Sequence, residues 1–73
     1  MIRINQCFLD RFKYFGHTYN YQVKRGLWLQ FDADSLDYIG PYSFYRKRYD
    51  SYEVECICKL EELVTLGILD VFD

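Results

Sequence analysis

The sequence predicts an α+β fold, a three- or four-stranded antiparallel β-meander packed against one C-terminal α-helix. Three observations carry the prediction. Between Asp10 and Phe31, runs that alternate apolar and polar residues are separated by the glycine-bearing turns Gly16-His17 and Lys24-Arg25-Gly26. From Tyr52 to Leu66 the apolar residues recur instead at helical spacing. Eight Tyr, six Phe and one Trp in 73 residues supply the ring surface that so small a core needs, since each ring buries about 150–250 Å².

The first hairpin joins Arg11-Phe12-Lys13-Tyr14-Phe15 to Thr18-Tyr19-Asn20-Tyr21-Gln22-Val23 through Gly16-His17. Glycine leading a two-residue loop suits a type II′ turn, because it accepts positive φ. Tyr14 then faces Tyr19 and Phe12 faces Tyr21, with Arg11, Lys13, Asn20 and Gln22 on the opposite face. At the second turn two registers compete. A two-residue loop would put Leu27, Leu29 and Phe31 on the polar face. A three-residue loop with Gly26 left-handed pairs Val23 with Leu27, Tyr21 with Leu29 and Tyr19 with Phe31, which makes the apolar face continuous.

Residues 32–37 read as a loop with one turn capped by Asp34 or Ser35, ended by Gly40-Pro41. Residues 42–49 fit either a fourth strand or an extended connection. A helix is expected over about 51–66, with Asp50 and Glu53 resembling a capping box. At about 100° per residue its inward arc holds Tyr52, Cys56, Ile57, Leu60, Leu63, Val64 and Leu66. Glu55, Glu61 and Glu62 lie opposite as a solvated face, and Glu55 precedes Lys59 at a favourable i,i+4 spacing. Gly67-Ile68 suits a left-handed C-cap, after which Ile68–Phe72 packs back on the fold. Meander, connection and helix form one small domain.

Composition bounds the function. Three cysteines, Cys7, Cys56 and Cys58, and an N-terminus unlike a secretory signal predict a reducing, cytoplasmic setting. No stretch approaches the roughly 18 uninterrupted apolar residues of a membrane span. Residues 1–48 carry eight Lys and Arg against four Asp (+4), whereas residues 49–73 carry one Lys against seven acids (−6). His17, alone at a turn tip, lacks the orienting partner and pocket of a general base. Cys56 and Cys58, in a C-x-C pair on a helix, diverge by about 200° and do not make a zinc motif with Cys7 and His17. No phosphate-cradling loop and no nucleophile elbow occurs. The expectation is a chain that is not an enzyme, takes no cofactor or metal, and acts by binding.

Two surfaces are candidates. On the outer face of the meander, Arg11, Lys13, Trp28 and Gln30, with Asn20, Gln22 and a rim at Phe15, have the composition of an interface hot spot. The competing reading buries Trp28 under residues 1–9 or 42–49. The second surface is Tyr45-Arg46-Lys47-Arg48-Tyr49, extended by Lys24 and Arg25, where cations would meet phosphates and rings would stack on bases. A pI near 5.2 weighs against a dedicated nucleic-acid binder. The leading expectation is therefore a protein-binding module, an accessory factor or inhibitor of a larger protein or complex. That class includes the small anti-defence proteins of phages and mobile elements, anti-CRISPR proteins among them. A nucleic-acid-binding module is the alternative, and an exposed sheet edge or the Trp28 face also permits a homodimer.

Overall fold

The computed structural model describes residues 1–44 and 50–73. In chain order it contains β1 (Ile2–Ile4), a short 3-10 helix (Gln6–Arg11), β2 (Lys13–Tyr14), β3 (Thr18–Lys24), β4 (Leu27–Asp32), β5 (Tyr38–Ser43), α1 (Asp50–Thr65) and β6 (Leu69–Val71). The α+β expectation is borne out: β2-β3-β4-β5 form a four-stranded antiparallel sheet with α1 beside it. A second, two-stranded sheet was not foreseen. It pairs β1 with β6 through Ile2↔Val71, Arg3↔Asp70 and Ile4↔Leu69.

Both hairpin registers follow the apolar pattern. Tyr14 pairs with Tyr19, their rings 5.1 Å apart, and the Phe12 and Tyr21 rings meet edge-on at 5.4 Å. The loop between them is tighter than a type II′ turn. Gly16 has φ +71°, and the His17 amide donates straight back to the Phe15 carbonyl at 2.7 Å. Across the second turn Tyr19↔Phe31 and Tyr21↔Leu29 stand as expected. The pairing nearest the turn does not: Lys24, not Val23, faces Leu27, because a bulge between Gln22 and Lys24 absorbs one residue. Gly26, at φ +80°, supplies the left-handed residue that this bulged turn requires.

The fourth strand exists, but it runs from Tyr38 to Ser43 and passes through Gly40-Pro41, the pair expected to end the loop. Two features admit them. Ile39 is an extra residue between Gln30↔Gly40 and Phe31↔Tyr38, so the strand bulges there, and Gly40 takes φ +152°. Pro41 lies on the outermost strand, where a missing N–H breaks no ladder bond.

The 32–37 turn is capped by Asp32 rather than Asp34 or Ser35. Its Oδ2 accepts from the amides of Asp34 (2.9 Å) and Ser35 (2.8 Å) and from the Ser35 hydroxyl (3.1 Å). These bonds, the Ser35 amide foremost, hold the Asp32 carboxyl below its ordinary value. A depressed carboxyl stabilises the fold fully above the ordinary carboxylate range and loses that contribution as pH falls through its lowered value. Asp32→Asn should therefore lower the thermal midpoint at pH 7, with a difference from the parent that shrinks toward pH 2. A difference independent of pH would contradict this. Leu36 closes the turn at φ +67°, a conformation costing a non-glycine residue about 1–2 kcal/mol. Burying its side chain in the core offsets that, and its carbonyl accepts the Ile4 amide at 3.0 Å, tying the small sheet to the large one.

The core joins Leu27, Leu29 and Phe31 from the large sheet, Phe12 from the end of the 3-10 helix, Ile4 and Leu69 from the small sheet, and Cys56, Leu60 and Leu63 from α1. The helix ends as expected, in a Schellman motif. The Ile68 amide donates to the Leu63 carbonyl and the Gly67 amide to Val64, with Gly67 at φ +79°. The inward arc is narrower than the periodicity implied, because Ile57 and Leu66 are exposed. The charge pairing differs as well. Glu55 reaches Lys24 on β3 at 2.7 Å, and Lys59 pairs with Glu62 at 2.9 Å.

Candidate protein-docking face

The outer face of the large sheet is built by the residues that alternate with the core. Trp28 stands opposite Gln22 on β3 and Tyr42 on β5, and Asn20 opposite Gln30. At one end the tight Gly16 turn brings Phe15 back over the sheet, its ring edge-on to Trp28 at 5.8 Å. At the other, Tyr42 and Phe44 meet edge-on at 5.2 Å. Between them lies an open concavity of about 510 Å³ lined by Phe15, His17, Thr18, Asn20, Trp28, Gln30, Tyr42 and Phe44.

Trp28 does lie off the main core, but it is only 8% exposed, so it is not the bare hot spot the sequence suggested. Of the two expected covers, residues 1–9 lie elsewhere, whereas Tyr42 of the 42–49 segment does stand across from the indole. Residues 2–4 pair with β6 and residues 6–11 form the 3-10 helix. Phe15 and the Lys13 ammonium, 5.5 Å from the indole centroid, lie against the ring as well. Among the described residues the buried indole Nε1–H has no hydrogen-bond partner, and an unpaired buried N–H costs about 1–3 kcal/mol. Burying an indole returns about 4–6 kcal/mol at 25 cal/mol per Å², so the apolar contribution prevails.

Asn20, expected on a solvated face, is buried and satisfied. Its Nδ2 donates to the Lys13 carbonyl (3.2 Å) and to the Thr18 hydroxyl (2.9 Å), fastening β2 to β3. The structure thus brings together Lys13, Trp28 and Gln30. It does not bring Arg11 to the concavity: Arg11 ends the 3-10 helix, with its guanidinium 5.9 Å from the centre of the Phe8 ring. Tyr42 and Phe44 were missed, because Gly40-Pro41 disguised the strand that carries them. Their i,i+2 spacing after Pro41 was the available signal.

Of the alternative surface, Tyr45, Arg46, Lys47, Arg48 and Tyr49 lie outside the described residues. Lys24 is committed elsewhere, bonded to Glu55 and lying 4.6 Å from the centre of the Tyr52 ring. The Glu55 hydrogen bond raises its pKa. Arg25 is exposed at the turn.

The reactive groups are dispersed. Burial pushes the Cys56 thiol above its ordinary value, away from the thiolate that nucleophilic chemistry uses, while Cys7 and Cys58 are exposed. Burial likewise pushes the Tyr38 hydroxyl up to about 12. Among the described residues no three of His, Cys, Asp and Glu gather as a metal ion would need, and no helix is long and apolar enough to cross a membrane. No protein-family model, curated protein or solved structure matches this chain.

Proposed function

We propose that this chain is a non-enzymatic protein-binding module, an accessory factor or inhibitor of a larger complex, which docks through the outer face of its sheet. The supporting observation is the aromatic rim: Phe15, Tyr42 and Phe44 are 56%, 44% and 64% exposed around the buried Trp28. Aromatic rings are enriched in the energetic centres of protein interfaces and offer large rigid contact area. Lys13 and Gln30 add a cation and an amide beside the rings, which suits a polar rim around an apolar centre. Trp28 itself works as the floor that holds the rim residues in place.

The test is a tagged pull-down from lysates of candidate hosts, with and without nuclease, comparing the parent with a Phe15→Ser/Phe44→Ser double variant. Both rings are exposed, so the variant should keep its fold, with about 0.5 kcal/mol or less lost per site. The parent should retain a defined protein complex, and the variant should retain at least tenfold less. Equal capture by both would overturn this face. Partners that vanish with nuclease would move the reading to nucleic acid and to Arg46, Lys47 and Arg48.

A further inference from the structure

A second surface, independent of the sheet face, has its own chemistry. Ile2 and Val71, paired across the small sheet, stand beside Ile57, Leu60 and Val64 of α1 around a groove of about 560 Å³. Leu60 is buried in the core. Ile57 is 54% exposed and Val71 60%, although the helical period assigns Ile57 to the inward arc. The one charged residue in the lining is Glu61.

The charges around the groove follow the helix. Glu53, Ile57 and Glu61 are spaced i, i+4, i+8, so they form a row on α1, an aliphatic side chain with an exposed carboxylate one turn to either side. The neighbouring acids are neutralised, Glu55 by Lys24 and Glu62 by Lys59. Among the described residues Glu53 and Glu61 have no ion-pair partner. The groove is therefore apolar along its floor and negative along its helix rim.

That combination selects its occupant. A second copy docked groove to groove about a two-fold axis would set these carboxylates close to their own copies, and an anionic bilayer would meet the same repulsion. A partner helix that presents leucine or isoleucine with Lys or Arg one turn away would fill the floor and pair both acids. We propose that the α1/β1–β6 groove is a docking site for a cationic amphipathic helix of a protein partner. The protein then has two faces for two contacts. This site does not depend on the sheet face, and its failure would leave the sheet-face reading untouched.

The probe is a 14-residue amphipathic helix of leucine and lysine, titrated into the ¹⁵N-labelled full chain beside the same peptide with glutamate for lysine. The lysine peptide should shift the amides of Ile57, Glu61, Val64 and Val71, and should weaken severalfold in 0.5 M salt, where the Debye length falls to about 4 Å. Glu61→Lys should cut its affinity about fivefold and Ile57→Ser about tenfold, while Phe15→Ser/Phe44→Ser leaves it unchanged. Glu53→Lys/Glu61→Lys should transfer the preference to the glutamate peptide. All five substituted positions are exposed, so these variants should fold, and their own spectra verify it. The proposal is overturned if both peptides bind the parent equally, if the shifts map to the Trp28 face, or if neither binds. It is also overturned if the parent self-associates in sedimentation and Ile57→Ser abolishes that, which would make a second copy the occupant.

Discussion

Phe31→Ala is expected to remove most of the stability of this protein. Phe31 is fully buried near the C-terminal end of β4, with the Phe12 ring edge-on at 5.4 Å and the Tyr38 ring at 5.3 Å. Truncating a buried phenylalanine costs about 3–5 kcal/mol, in lost transfer energy and in the cavity left behind. A chain of 73 residues has about 4–11 kcal/mol in all. The cavity would open between three layers, since Phe31 shares its cluster with Leu63 of α1 and with Ile4 and Leu69 of the small sheet. Little can collapse into it, because these neighbours are held by two sheets and a helix. Urea denaturation followed by far-ultraviolet circular dichroism gives the measurement. Phe31→Leu, which keeps more of the volume, should fall between parent and alanine variant. A loss under 1 kcal/mol for Phe31→Ala would contradict the central position assigned to this ring.

The second large effect is at Trp28, where the substitution chosen decides the outcome. Trp28→Ala should cost about 3–5 kcal/mol, because the indole is 8% exposed and supports Phe15 and Lys13. Such a variant would lose partners by losing its fold, so it cannot test the docking face as exposed-ring variants can. Trp28→Phe should cost much less. It removes ring area, and it also removes an Nε1–H that has no partner among the described residues, whose unpaired burial costs about 1–3 kcal/mol. The ratio of the two losses, read from the same denaturation curves, checks the packing of this ring. Equal losses for Phe and Ala would mean that the N–H has a partner and dominates the site.

The parts of this fold legible in the sequence are those whose signals are local. Alternation together with Gly16 and Gly26 specifies which residues of β2, β3 and β4 share a face, because a slip of one residue would expose Leu27, Leu29 and Phe31. The helix and its Gly67 cap were legible for the same reason. β1 and β6 were not: each is three residues long, and they meet across nearly the whole chain. β5 was hidden because Gly and Pro ordinarily break strands, and only a sheet position on the edge excuses them. The candidate site was half legible. Periodicity told that Trp28 and Lys13 point away from the main core, but not that Phe15 curls over the indole or that Tyr42 stands across from it. It also could not tell that Ile57 is left 54% exposed.

The edges of the two sheets carry a further consequence. β2 is only two residues long, and β6 only three. On β5 the register makes Leu29↔Pro41 a pair without ladder hydrogen bonds, so Pro41 falls where the open edge would otherwise offer an amide, and the Ile39 bulge interrupts the row beside it. Among the described residues an incoming strand therefore finds few consecutive amides and carbonyls to copy, which disfavours both fibrillar growth and recognition by strand addition. On the proposed reading, recognition falls to side chains. A surface of that kind can change its partner one ring or one charge at a time, while the backbone ladder beneath it stays as it is.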